Sequence, residues 1–328
     1  TPAIQRIPEG GAIYNSTIVE DFAWKCKSTG SETQTFYFHL GNKIFGFIQI
    51  AWGYIAVSPT IQSNALFYVP GEGNFFETHN GHKLKVGDDG VSSEVHKLTM
   101  KWDSEMRKLV IDYNAGKTHN CHAHIEFERT CDGYKIGDGD NIVGGGIVRH
   151  CFYPVGRVKA NMIINGKPYE ETGNGLYIHA VSMDIMPYNV GQVWSFCDFS
   201  SKDVNENPVT FQLLQYLTPA KFGETLCTQA ALQKDGKTYA VMWDNSVEFE
   251  DRVKNSKSGY DVPQAFRYRA KGQTLEDKKK VTVTMESKPD AFFKPIEVLH
   301  ELPYFVKIAV QTLITNPFIF QWFESKSV

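Results

Sequence analysis

The chain has 328 residues, room for two cores of about 150 residues each, with 42% apolar and 22% charged residues as in an ordinary globular protein. A net charge of −3 supplies no electrostatic reason to expect nucleic acid or an anionic membrane as partner. The apolar run from Phe47 to Val57 is interrupted by Gln49 and Gly53 and is too short to cross a bilayer, so no integral membrane association is expected.

The chain opens Thr-Pro-Ala without Met, which reads as a processed or trimmed start with no targeting segment in view. Asn15-Ser16-Thr17 is a permitted glycosylation sequon. The six cysteines, Cys26, Cys121, Cys131, Cys151, Cys197 and Cys227, have spacings of no zinc or redox motif. Pairing of these thiols and glycosylation of Asn15 would together point to a secretory route.

Residues 32 to 57 form the most informative stretch. Two runs rich in aromatic and β-branched residues flank Gly41-Asn42-Lys43, which predicts a hairpin. Large side chains on both faces leave neither face clearly solvent-facing. A strand apolar outside and semi-polar inside, through Thr35, Tyr37 and His39, suits a barrel that encloses a ligand. Tyr37, His39, Gln49 and Trp52 are therefore candidate ligand-contacting residues.

Short strands punctuated by Gly, Asn and Asp are predicted along most of the remaining chain. They include Ala65 to Val69, His96 to Trp102, Lys108 to Tyr113, His122 to Arg129, Gly146 to Tyr153, Val158 to Ile164 and Gly175 to Val181. Later ones are Val193 to Phe199, Val209 to Leu217, Thr225 to Leu232, Thr238 to Trp243, Ser246 to Arg252, Ala265 to Arg269 and Lys280 to Met285. Such a series predicts an all-β sandwich or barrel. Pro303 to Asn316 carries apolar residues at helical spacing and is closed by Pro317, predicting one short amphipathic C-terminal helix.

His122 and His124 share a strand face with Glu128, a spacing used by metal ligands. The later turn Pro154-Val-Gly156 is followed by Arg157 and Lys159 with no further His, so no metal is expected there. The loop Gly137 to Gly146 lacks both a following helix N-terminus for phosphate and a closing carboxylate for calcium. No nucleophile elbow and no dinucleotide fingerprint is present, and no cofactor is expected. Three constellations are left to line a cavity. Arg149-His150-Cys-Phe-Tyr153-Pro154 is the first, Glu171 to His179, where Tyr177 and His179 share a face, the second, and Trp194-Ser-Phe-Cys-Asp198 the third.

These segments carry a family resemblance. Phe22-Ala-Trp-Lys-Cys with Glu32-Thr-Gln-Thr-Phe-Tyr-Phe, Arg149-His-Cys-Phe-Tyr-Pro, and Gly175-Leu-Tyr-Ile-His-Ala with Trp194-Ser-Phe-Cys-Asp-Phe resemble landmarks of the fungal survival-factor family. So do Leu217-Thr-Pro-Ala-Lys-Phe-Gly, Glu301-Leu-Pro-Tyr-Phe-Val-Lys and Asn316-Pro-Phe-Ile-Phe-Gln-Trp. The resemblance implies two lipocalin-like barrels in tandem, residues 16–154 and 155–328, in an intracellular ceramide-binding protein. Val181-Ser-Met-Asp-Ile-Met-Pro-Tyr188-Asn departs from the family's Gln-Gly-Met-Lys-Pro-His-His stretch, and neither the family's amino-terminal amphipathic helix nor its longer tail is in this chain.

Relatives of this architecture include fungal hetero-Diels–Alderases. The altered pocket-side residues therefore favour a cofactor-free pericyclase that joins a quinone methide to a terpenoid in an aromatic cavity. Tyr177, His179 and Arg149 are the candidate hydrogen-bond donors of such a catalyst, and Tyr153 and Trp194 join Tyr37, His39, Gln49 and Trp52 as substrate contacts. The alternative is a ceramide-type lipid carrier without chemistry. A hydratase using Glu171 or Asp198 as acid is a third reading. In each case the partner is a hydrophobic small molecule, with homo-oligomerisation left open.

Overall fold

The hairpin predicted around residues 41–43 is the seed of the first sheet. In a computed structural model that describes residues 4–324 apart from 6, 8, 10, 27, 28, 42, 56, 57, 115–119, 294 and 298–316, β1 (Gly30–Leu40) and β2 (Phe45–Ile55) pair antiparallel from Gly30↔Tyr54 to His39↔Phe45. The Leu40 N–H donates to the Ile44 carbonyl at 2.8 Å, and Lys43 takes φ +61° to close the turn. The helix expected over Pro303–Asn316 lies outside the described residues.

The main strands that follow are β3 (Ser58–Val69), β4 (Gly73–Gly81), β5 (Leu98–Trp102), β6 (Lys108–Asn114), β7 (His122–Arg129), β8 (Gly146–Ile164) and β9 (Lys167–Met183). Their order is β4-β3-β2-β1-β9-β8-β7-β6-β5, continued by the short strands Ser93–Val95 and Lys85–Val86. The sheet curls, because residues far apart in this order bond across it. Gln34 on β1 donates to the Val91 carbonyl and accepts from Ser93 Oγ, both at 2.9 Å, and Tyr113 on β6 donates to Glu77 on β4 at 2.7 Å.

The strands predicted separately at Gly146–Tyr153 and Val158–Ile164 are one strand. Pro154 has no N–H for the ladder, and a register shift between Tyr153 and Gly156 absorbs it as a bulge. The expected division at 154/155 therefore falls inside β8. The chain instead forms two compact units, residues 1–192 with 217–227 and residues 193–216 with 228–328. Thr238–Trp243 and Ser246–Arg252 likewise merge into one strand, Lys237–Glu250.

In the first unit, period-two alternation sorts the side chains. Phe36, Phe38, Ile48, Ile50, Ala65, Phe67, Ile111, Ile125, Phe127 and Tyr177 point into one buried core. On the opposite face of β6, β7 and β8, Lys108, Asp112, His124, Glu128 and Arg157 are polar, as a solvated face requires. On the opposite face of β1–β3 the pattern changes: Thr35, Phe47, Asn64 and Leu66 are all buried there. The semi-polar set Thr35, Tyr37 and His39 thus turns away from the core, contrary to its expected inward position. The interior is instead filled by Phe36 and Phe38, which bury more apolar area.

The second unit is built on one curled sheet, β10 (Val193–Lys202), β11 (Pro208–Leu217), β12 (Leu226–Lys234), β13 (Lys237–Glu250), β14 (Ala265–Thr274) and β15 (Lys280–Ser287), adjacent in that order. Phe211, Leu213, Ala230, Ala240, Met242, Phe266, Tyr268 and Ala270 form its core. Among the described residues no helix is long and apolar enough to cross a membrane. The fold is all-β, as predicted, with two curled half-barrel sheets.

Gly46 marks a tightly packed point of the first core. A Cβ placed there would run into the Phe38 ring and lie 2.5 Å from the Leu66 carbonyl oxygen. Gly46→Val should cost about 1–3 kcal/mol or more through overpacking. Thermal denaturation would show a lowered midpoint, and an unchanged midpoint would contradict this packing.

Candidate functional site

The strand register of β8 and β9 places Tyr153 opposite Tyr177 and Cys151 opposite His179, all directed into the core. Phe22, from the 3-10 turn Val19–Phe22, stacks on Tyr153 at 4.2 Å between ring centroids, and Trp102 meets Tyr177 edge-on at 5.1 Å. Burial raises the Tyr177 hydroxyl well above its usual pKa, with the Trp102 indole partly offsetting this. Tyr177 and Tyr153 therefore sit in a packed aromatic box.

His179 is held at both ring nitrogens. Nδ1 donates to the Asp21 carbonyl at 2.9 Å, and Nε2 meets Glu32 Oε1 at 2.8 Å, with both side chains fully buried. Glu32 also accepts the Lys25 and Cys26 N–H groups, at 2.9 and 2.7 Å. The carboxylate is thereby satisfied from three sides, as a buried charge requires. The Cys26 thiol beside it is pushed up to about 12, chiefly by burial and then by the Glu32 charge.

Arg149 is similarly committed. Its Nε donates to Asp140 at 2.6 Å and its guanidinium lies 3.8 Å from Asp21, which also receives Lys135 Nζ at 2.6 Å. This network ties the Gly137–Gly146 segment, now the hairpin of Asp140–Val143 against the start of β8, to the amino-terminal turn. Of the sequence-predicted donors, His179 and Arg149 thus already have partners within the protein.

Tyr37, His39 and Gln49 are brought together on the other side of the sheet. Gln49 Nε2 donates to Thr35 Oγ1 at 2.8 Å, and Asn64 Nδ2 donates to Gln49 Oε1 at 2.9 Å, so a polar row crosses β1, β2 and β3. The neighbouring row is Tyr37, Phe47, Leu66 and Phe76. Beyond it lie His39, Phe45 and Tyr68, with the His39 and Phe45 rings edge-on at 5.1 Å. Burial pushes Tyr37 up to about 12 and His39 down to about 4. Trp52 lies apart from this set, on the core side opposite Glu32.

Trp194 belongs to the second unit, where it stacks on Tyr216 at 4.5 Å and keeps 44% of its surface exposed. On the same strands Gln212 donates to Asp198 at 2.9 Å, and Ser200 and Thr210 hydroxyls lie 3.3 Å apart. Burial raises the Asp198 carboxyl to about 7.

His124 Nδ1 bonds Asp112 at 2.7 Å and Glu128 pairs with Arg157 at 3.2 Å, so these residues of the metal-like motif have cross-strand partners. The Asn15 amide donates to the Gly137 carbonyl at 2.5 Å, and all six cysteines are thiols outside disulfides. The residues missed by the sequence reading are Glu32 as the histidine's partner and Asn64 as the third member of the polar row. An acidic or amide residue within an apolar strand is the signal that could have found each.

His179→Ala would leave the Glu32 charge without its principal partner, and a loss of about 3–5 kcal/mol is expected. A circular-dichroism melt should register it, whereas a wild-type midpoint would contradict the bridge. The histidines also set an acid limit. His39 and His150 ionise near 4 in the folded chain against the usual 6.5, through burial and, for His150, the His179 charge. Their contribution is complete above pH 6.5 and is lost as pH falls through 4. Asp198 acts oppositely: with 3.8 raised to about 7, its contribution is complete below 3.8 and lost as pH rises through 7. Asp198→Asn should therefore remove the alkaline decline in melting temperature, and a constant offset from wild type at every pH would contradict this.

A sequence profile of the Svf1 family matches residues 2–328. The chain is 24% identical over 326 residues to the ceramide-binding protein svf1 of Emericella nidulans, an alignment covering 95% of this chain and 83% of that protein. Among solved structures, an AttH-like protein of Nitrosomonas europaea superposes with a TM-score of 0.60 at 11% identity, covering 87% of this chain and 95% of its own. CghA in complex with Sch210972 gives 0.62 at 8% identity, covering 91% and 84%. Identities this low speak to fold alone. The profile match over nearly the whole length, on the landmarks that carried the resemblance, shows that the chain belongs to the Svf1 family.

Proposed function

We propose that this protein binds a long-chain lipid of the ceramide type, without chemistry, on the β1–β3 face that carries Thr35, Gln49 and Asn64. The observation that carries the reading is that hydrogen-bonded polar row, with Thr35 and Asn64 buried and Gln49 half-buried, beside a row of Tyr37, Phe47 and Leu66. Each side-chain amide can offer a further hydrogen and lone pair beyond the bonds within the row. A head group bearing an amide and hydroxyls matches the polar row, and alkyl chains match the apolar one. Family relatives named as ceramide-binding proteins, aligned over nearly the whole chain, favour the same ligand class.

Gln49→Leu keeps the volume of the row and removes its central amide. Affinity for a fluorescent ceramide should fall by about tenfold, the equivalent of ~1.4 kcal/mol. Unchanged affinity in a folded variant would contradict placement of the ligand on this face.

A catalytic reading has one observation in its favour, the buried Asp198 carboxyl raised to about 7 beside Gln212 and near the Trp194–Tyr216 stack. A carboxyl still protonated near neutrality can donate to a developing charge, as a hetero-Diels–Alderase or a hydratase would use it. Incubation with a quinone-methide precursor and a humulene-type alkene distinguishes the readings. One enantiomer formed above background favours the pericyclase, and a racemate at the background rate removes it.

A further inference from the structure

The last described residues of the chain build an aromatic surface on the second unit. Phe292 pairs with Trp322 and Ile296 with Ile319, and the Phe293 N–H donates to the Gln321 carbonyl at 3.0 Å. Period-two alternation puts Phe318, Phe320 and Trp322 on one side of this segment. The rings of Phe318 and Phe320 lie 6.2 Å apart and those of Phe320 and Phe292 6.4 Å apart, each pair inclined by 20°. Trp322 roots this floor of rings in the core of the second sheet, 4.8 Å from the Phe266 ring.

Tyr260 supplies a wall. It sits on the hairpin of Val253–Lys254 with Asp261–Val262, between β13 and β14, where the Asn255 N–H donates to its carbonyl at 2.8 Å. Its ring meets Phe318 at 6.1 Å and 67°, and Phe320 at 6.2 Å and 79°. Tyr260 keeps 43% of its surface exposed and Phe292 39%, so the surface opens to solvent. Large rings left open together mark a place where something binds.

The neighbouring charges narrow the ligand. The hairpin exposes Arg252, Lys254 and Lys257 together with Asp251 and Asp261. Lys288 and Asp290, both exposed, precede Phe292, and Glu297 is paired with Phe318. Such a balance suits neither a bare anion nor a bare cation, but a zwitterion. Aromatic faces meeting at a steep angle attract a quaternary ammonium, and lysines attract a phosphate.

We propose that Tyr260, Phe292, Phe318 and Phe320 form a docking site for the phosphocholine head groups of a bilayer. The trimethylammonium sits in the corner between the Tyr260 wall and the phenylalanine floor, and the phosphate faces Lys254 and Lys257. This site goes beyond the lipid-binding reading above: it concerns the surface that meets a bilayer, and it is built by the second unit alone.

Flotation of the full chain with ceramide-free phosphatidylcholine vesicles tests the site, with phosphatidylglycerol vesicles of the same acyl chains as comparison. The wild type should float with the first and not with the second. Tyr260→Leu keeps apolar bulk but removes the ring face, and should weaken vesicle binding about tenfold, whereas Tyr260→Phe should bind as the wild type does. Lys254→Glu combined with Lys257→Glu should also weaken it about tenfold. The inference is overturned if the wild type fails to bind phosphatidylcholine or prefers the anionic vesicles. It is equally overturned if Tyr260→Leu or the double variant, folded by circular dichroism, binds as the wild type does. Because the vesicles carry no ceramide, such a result leaves the ceramide reading standing, and failure of ceramide binding alone leaves this site standing.

Discussion

One buried bridge sets the position of almost everything described above: His179, held between the Asp21 carbonyl and the Glu32 carboxylate. It joins three separate pieces of chain, namely the amino-terminal turn, β1 and β9. Glu32 gathers the Lys25 and Cys26 N–H groups as well, so the segment leading into β1 is pinned to the core. A buried charge is tolerable only when its partners are complete, which gives the bridge directionality that apolar packing lacks. Phe22 and Trp24 are carried into place by the same turn, and the aromatic box around Tyr153 and Tyr177 follows from it.

Two rigid faces result from that arrangement. The core face is largely apolar, and Glu32, Gln34, His179 and Glu77, which lie on it, are hydrogen-bonded within the protein. The opposite face divides into a charged half on β6–β8 and a buried half on β1–β3. The amide row of the buried half is the unusual element. Apolar residues at Gln49 and Asn64 would serve packing equally well, and their polar character is what the proposed ligand site draws on.

Much of the architecture was legible in the sequence because β-structure writes itself in period two. The hairpin at 41–43 and most strands follow from alternation and turn residues, whereas the plan of two barrels came from the length and the family resemblance. Pro154 misled, since a proline in a strand usually ends it, yet the ladder here slips by a bulge and continues to Ile164. The candidate site was less legible. Alternation shows that Thr35, Tyr37 and His39 share a face but not which face meets the core, because Phe36 and Phe38 on the other face are equally large. His179 was conspicuous as a residue, but its role depends on Glu32, 147 positions away, a pairing that only the strand register reveals. Asn64 carried no motif at all. Its meaning comes from what it faces.

The central claim is that this Svf1-family chain takes up a long-chain N-acyl amino alcohol. Native mass spectrometry of the purified chain after incubation with vesicles containing ceramide tests it most directly. The account predicts a one-to-one lipid adduct that survives mild activation and is competed by unlabelled ceramide. A spectrum showing only the bare chain, from protein with a wild-type circular-dichroism spectrum, would contradict it.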